Sequence, residues 1–284
     1  MIDTIDHVVL TRFNLPSAGV ERSIREQEGW LTNRWGLFER YCVPSVLSQT
    51  NQNFTWIIYF DPQSPSWLKH YVQDYAYAGL FRPVYRASVS RDELLGDIRG
   101  VTAADGHSLA TTNLDNDDAL AVDFVDRIQR VPRQPERTAV FLANGLIKSP
   151  SGLYRRADRD NAFCTVVEPW DAPTTCWSDW HMLLRRSMPV IEEQGAPGWL
   201  QVVHGENVSN HVRGRLTSPQ PWTALFPGAL GDLPAPGFAA IASDRLVRGP
   251  ARALRDLARG SVKRLALTVL GKDGLDRVKV ILSR

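Results

Sequence analysis

Asp115, Asp117 and Asp118, in the run Thr112-Asn-Leu-Asp-Asn-Asp-Asp-Ala119, crowd three carboxylates into four residues. On an extended backbone, side chains at i and i+2 share a face, so Asp115 and Asp117 can converge while Asn116 turns away. Such charges repel unless a cation neutralises them. Hard divalent ions such as Mg²⁺ or Mn²⁺ take oxygen ligands and share them with a diphosphate. The same residues could instead form an acidic turn opening a helix at Ala119, with Asp118 as its N-cap.

The surrounding pattern says what would hold these groups. Val8-Val9-Leu10, running on through Thr11-Arg12-Phe13, predicts a buried strand, and Glu39 to Leu47 has helical spacing. Trp56 to Phe60 predicts a second strand ending at Asp61, followed by a helix from Ser66 to Tyr77 behind Pro65. Phe81 to Tyr85 and Leu109 to Leu114 predict further strands, with a helix from Arg91 to Ile98 between them. Ala121, Val125 and Ile128 put an apolar face on a helix expected over Ala119 to Arg130. Strands alternating with helices imply a mostly parallel sheet covered on both faces. Ligands in such sheets bind at the carboxyl ends of strands, which is where Arg12, Asp61 and the acidic run would emerge together. Beyond Pro135, strands expected over Ala139 to Ile147, Gly152 to Arg156 and Phe163 to Val167 suggest an antiparallel extension, and a helix is expected over Trp177 to Ile191.

Four segments together resemble a known family: His7-Val-Val-Leu-Thr-Arg-Phe-Asn14, Pro44-Ser-Val-Leu-Ser-Gln-Thr50, the acidic run, and Trp199-Leu-Gln-Val-Val-His-Gly-Glu-Asn-Val-Ser-Asn210. The helix ending in Ser-Val-Leu-Ser-Gln-Thr and the strand closing on Asp61 are similar to the opening of GT-A glycosyltransferases of the family 2 type. The whole set, over about residues 5 to 215, resembles the rhamnosyltransferase family. That resemblance implies a GT-A-like, Rossmann-type mixed α/β sheet flanked by helices. It implies a hexosyltransferase that moves a sugar, rhamnose by the family's name, from a nucleotide-diphosphate donor to a saccharide or lipid-linked saccharide.

By the same resemblance Asp115 lies near the ribose, Asp117 binds Mn²⁺ or Mg²⁺, and Arg12 and Asp61 lie near the nucleotide base. His204, ending an apolar run, matches a late histidine that several GT-A enzymes aim at the metal or diphosphate; a bond to a backbone carbonyl is the ordinary alternative. Glu206 and Asn207 could contact substrate. Asp179, between Trp177 and Trp180, matches the point where family 2 enzymes carry their catalytic base, although Ser178 stands where they often have Glu. A first-turn helix residue is the other reading of Asp179. His181 is the substitute base, since neutral imidazole accepts protons near pH 7. A base would fit an inverting single displacement. Trp30, Trp35, Trp56 and Trp67 read as core or domain-edge residues, and Arg99 and Lys148 as solvated surface within reach of a diphosphate.

The 284 residues, 43% hydrophobic, suit one large α/β domain over residues 1–240 with an appendage at 241–284. That appendage holds 11 Lys and Arg against 4 Asp and Glu, so the overall charge of +2 conceals a basic end on an acidic body. Leu254, Leu257, Ala258, Leu265 and Val269 alternate with basic residues, predicting an amphipathic helix that could lie on an anionic membrane or pack on the domain. Three scattered cysteines fit a reducing, cytoplasmic setting, and no secretory signal or bilayer-spanning run is expected. Nucleic-acid binding finds no aromatic-basic interleaving. Two competing classes remain. A nucleotidyltransferase would want a Gly-rich basic loop where Thr11-Arg-Phe-Asn-Leu-Pro16 stands; a saccharide- or membrane-binding protein would use the same fold without catalysis.

Overall fold

A computed structural model describes residues 5–16, 25, 27–102, 108–204 and 212–252. Strand β1 (Ile5–Arg12) is apolar on both faces because it lies at the heart of a seven-stranded sheet. A long helical stretch follows, α1 (Trp30–Leu37), a widened π-turn (Phe38–Cys42) and α2 (Val43–Leu47). The widening falls just before Pro44, whose missing N–H interrupts the regular ladder. Then come β2 (Thr55–Phe60), α3 (Ser66–Tyr77), β3 (Arg82–Tyr85), α4 (Arg91–Arg99) and β4 (Ser108–Asn113). Ser90 and Glu93 form a reciprocal capping box that starts α4.

β1, β2, β3 and β4 are parallel, with Arg12 level with Tyr59 and Leu10 level with Asn113. The carboxyl ends of three strands therefore share one edge, as the alternating pattern predicts. The α/β expectation holds: a mixed, mostly parallel sheet flanked by helices.

Two predicted elements change character. Ala119–Leu120 is not the start of a helix but a short strand, β5, and α5 runs only over Phe124–Arg130. The pairing of β5 with β11 (Trp199–Val202) overrides the local helical pattern. The span expected as one strand over 139–147 is two, β6 (Thr138–Leu142) and β7 (Asn144–Ser149), and they belong to different sheets. β7 joins β8 (Gly152–Ala157), β11, β12 (Arg215–Thr217) and β5 in a five-stranded sheet. β9 (Thr165–Pro169) lies antiparallel between β4 and β6, and β10 (Val190–Glu193) closes the edge of the first sheet. Gly145 lets the sheet pass under Trp199, since a Cβ there would fall 2.1 Å from the indole.

Trp35 and Trp56 are core and Trp30 is buried, as expected, and Cys42, Cys164 and Cys176 are buried free thiols. Lys148, expected on the surface, is buried and donates to the Ala229 carbonyl and Asp232. The end of the described chain is tied down by Asp244, which accepts from Leu216 N and Arg252. Residues 253–284, where the amphipathic basic helix is expected, lie outside the described residues. No helix among the described residues is long and apolar enough to cross a membrane.

Candidate active site

The acidic run is the bridge between the two sheets, leaving β4 and entering β5. Its backbone is not extended as expected but turns at Asn116 and Asp117, with Asp118 N donating to the Asp115 carbonyl. Asn116 fixes the turn: its amide donates to the carbonyls of Arg12 (3.0 Å) and Phe13 (2.6 Å), and its oxygen accepts from Arg34 (3.2 Å). An aspartate there could accept but not donate. Gln49, from the Ser-Gln-Thr ending, holds the far side by donating to the Ala121 carbonyl and accepting from Val125 N.

The turn sends the three carboxylates in different directions. Asp115 opens onto a cleft of about 560 Å³. Its carboxyl is pushed up by desolvation from the surrounding protein, although the side chain is open to the cleft, and further by Asp117. Asp117 is buried, with Oδ2 2.5 Å from an Arg34 nitrogen and 2.9 Å from His204 Nε2. Burial raises its carboxyl, but the His204 hydrogen bond and the Arg34 charge outweigh that and leave it below the usual range. Asp118 is not a helix cap. It is fully buried, its Oδ1 accepts from Val202 N at 2.7 Å, and so it ties the acidic turn to the strand that delivers His204. Its Oδ2 has no hydrogen-bond partner among the described residues, and burial, then Asp117 and Asp115, drives its carboxyl well up.

Asp117 and His204 suit a divalent cation. One oxygen and one imidazole nitrogen 2.9 Å apart match the spacing of neighbouring ligands about 2.1 Å from one octahedral ion. The described residues contain no group of three His, Cys, Asp or Glu side chains that could hold a metal. Such an ion would therefore take its remaining oxygens from substrate and water, the usual habit of Mg²⁺ at phosphates.

The opposite wall is a loop, where Trp177 to Ile191 was expected as a helix. Only Leu184–Ser187 forms an α-turn, after a 3₁₀ turn at His181–Leu183. Tertiary partners fix the stretch that leads into it. The buried Glu168 accepts from Thr174 N, Thr175 N and Arg137, Thr111 Oγ1 accepts from Cys176 N, and Trp177 Nε1 donates to Asn113. Thr175 is held at φ 70°, a strained conformation for a β-branched residue. This clamp lays the Trp177 ring under Arg12, whose guanidinium carbon sits 4.1 Å from the ring centre. It also brings Asp179, Trp180 and His181 onto the cleft wall with Asp115. Asp179 Oδ1 accepts from Trp180 N at 2.8 Å. His181 Nδ1 donates to the Asp160 carbonyl, a bond that makes Nε2 the acceptor of the neutral ring.

Residues 6–216 match the family described as "Putative rhamnosyl transferase". The chain belongs to this family. No curated protein matches it. Among solved structures it is similar to S. aureus TarS 1–349 in complex with UDP, with 10% identity and a TM-score of 0.41 over 78% of this chain and 63% of that one. The crystal structure of S. aureus TarS is matched with 8% identity and a TM-score of 0.41, over 70% of this chain and 37% of that one. The inositol-1-phosphate CTP transferase from T. maritima is matched with 8% identity and a TM-score of 0.35, over 68% of this chain and 88% of that one. The chain spans less than two thirds of the length of the TarS chains it matches.

The stretch matching the rhamnosyl transferase family holds every candidate site residue named above, from Arg12 to Asn207. Not all of them share one cleft. Arg12, Asp115, Asp179 and His181 line the first, whereas Asp61 lines a second of about 610 Å³ with Asn14, Arg25 and Trp30. Asp61 N donates to Asn14 Oδ1, and its carboxylate lies 4.0 Å from Arg25. Arg99 lies against Trp170. Glu206 and Asn207 fall outside the described residues. Among the residues that the motifs did not single out is Arg34. Its one local signal is Trp30 four positions earlier, which places guanidinium and indole on one helix face, 5.3 Å apart.

Proposed function

We propose that this protein is a metal-dependent, GT-A-type glycosyltransferase that moves a hexosyl group, rhamnose by its family's name, from a nucleoside diphosphate to a saccharide acceptor with inversion. The observation that carries this reading is the junction of the sheets. Asp117 and His204 are paired there, Asp115 opens onto a cleft beside them, and Asp179 and His181 stand on that cleft's wall. A divalent cation held by Asp117 and His204 would supply Lewis-acid stabilisation of the leaving diphosphate. Asp115 would accept from ribose hydroxyls, and Asp61 with Asn14 would offer polar contacts to the base from the second cleft. Asp179 takes the acceptor hydroxyl's proton as the new C–O bond forms, and the old anomeric C–O bond breaks with its electrons leaving on the diphosphate. His181 Nε2 is placed to accept a second hydroxyl and orient the acceptor. Trp177 and Trp180 offer aromatic faces for a sugar ring and exclude water.

A lipid-linked acceptor at the inner face of a membrane fits the exposed Phe238, Leu246 and Val247 near Arg245 and Arg248, which lead into the basic tail.

Thermal unfolding in the presence of a panel of nucleotide sugars, with and without Mn²⁺, tests the donor assignment. A ligand at a hundred times its Kd stabilises by about 2.7 kcal/mol. That amounts to an upward shift of about 4–5 °C for a chain of this size, seen only when sugar nucleotide and Mn²⁺ are both present. No shift with any nucleotide sugar would sink the donor reading, and proton NMR of the product's anomeric centre reads inversion directly.

A further inference from the structure

The acidic motif already carries a cation of its own. Arg34, on α1, is 9% exposed, and one guanidinium nitrogen lies 2.5 Å from Asp117 Oδ2 and 3.2 Å from Asn116 Oδ1. The oxygen it holds is the same one that faces His204. A divalent cation at Asp117 and His204 and a guanidinium on that oxygen would be like charges in contact, in a site where little water screens them. Arg34 is also incompletely satisfied where it rests, because its Nε is buried without a hydrogen-bond partner among the described residues. A donor left unpaired in this way disfavours the resting position relative to one that pairs it.

We propose that Arg34 is a displaceable counter-cation. It neutralises Asp117 in the unliganded protein and passes to the donor's diphosphate when a divalent cation takes over Asp117 and His204. The inference rests on the metal reading above and adds a coupling to it. With Arg34 in place the metal alone is opposed. An arriving diphosphate offers the planar guanidinium a bidentate partner of higher charge, which releases the carboxylate. Metal and diphosphate must then strengthen each other's binding by the same factor.

Mn²⁺ titrations followed by electron paramagnetic resonance of the free ion, with and without inorganic pyrophosphate, measure this without turnover. In the wild-type chain pyrophosphate is expected to tighten protein-bound Mn²⁺ by about tenfold or more. Arg34→Met is expected to bind Mn²⁺ alone about tenfold more tightly than wild type and to lose most of the coupling. Unchanged or weaker Mn²⁺ binding by Arg34→Met would overturn the proposal. If that variant does not fold, Arg34→Lys decides. It keeps the charge but not the fork, and its coupling should fall at least about threefold, whereas full coupling would overturn the proposal. Asp117→Asn separates the two readings. Mn²⁺ binding that this change abolishes supports the metal site and leaves Arg34 to be judged alone, while a wild-type chain that takes no Mn²⁺ under either condition sinks the metal reading and the inference with it.

Discussion

Asp179 and His181 reach the cleft from the same loop but are prepared differently. The Asp179 carboxylate is oriented by the Trp180 backbone, and the His181 ring by the Asp160 carbonyl. Asp179→Asn preserves the oxygen that accepts from Trp180 N and removes only the charge. Steady-state kinetics should then show kcat lowered by about 10²–10⁴, the usual range for a lost general base, with donor KM within a few fold. His181→Gln should raise acceptor KM more than it lowers kcat; the reverse pattern would move the base to His181. Asp117 asks for a different variant, because Arg34 depends on it. Removing one partner of a buried ion pair costs about 3–5 kcal/mol, so Asp117→Ala should lose stability as well as turnover. Pairing it with Arg34→Met should recover much of the melting temperature and none of the activity. At this scale the sequence named side chains that the structure brings together, Asp117 with His204 and Asp115 on the cleft beside them. Arg34 was not legible, because an arginine on a helix reads as solvated surface unless a distant carboxylate is known to face it.

The elements divide along the same line. β1, β2, α3, α4 and β4 follow their own periodicity, and their predicted limits agree with the structure to within about three residues. The failures at Ala119–Leu120 and Trp177–Ile191 have a common cause: long-range partners take the backbone groups that a helix would need. Trp199 and Leu200 pair with β5, and β6 pairs with Val190 and Ile191 at the end of the second span. Pro189 then holds Met188 extended and feeds β10 into the sheet. The clamp at Glu168 should act on catalysis from outside the cleft. Glu168→Gln keeps one oxygen that can accept from Thr174 N and Thr175 N, but it turns an NH₂ that cannot accept towards Arg137 and removes the charge that pairs with that guanidinium. Calorimetry should show a melting temperature several degrees lower. Kinetics at a temperature where the variant is folded should show kcat reduced about tenfold or more, since small misplacement of catalytic groups is costly. A variant with the lower melting temperature but wild-type kcat would confine Glu168 to a structural role.

Across the whole molecule, His7 ties the strands that carry the site. Gln129 donates to its Nδ1 (3.3 Å), its Nε2 donates to Thr112 Oγ1 (2.8 Å), and Thr112 donates on to Thr165 (2.7 Å), so one proton chain crosses β1, β4 and β9. The Gln129 link requires a neutral ring, because a protonated Nδ1 could no longer accept. Burial, reinforced by Arg133, lowers the His7 pKa from 6.5 to about 3. Between those values the unfolded chain binds a proton that the folded protein refuses, so stability is complete above the unfolded pKa and is lost as pH falls from 6.5 towards 3. One such proton contributes a slope of about 1.4 kcal/mol per pH unit. Urea unfolding of the wild type from pH 8 to 5 should lose stability progressively below about pH 6.5, on top of whatever the carboxylates contribute. His7→Gln can keep the amide contact to Thr112 but cannot titrate. It should start less stable at pH 8 and close the gap as the solution is acidified. Parallel curves for the two proteins would mean that His7 is protonated in the fold, and the neutral chain across the three strands would have to be abandoned.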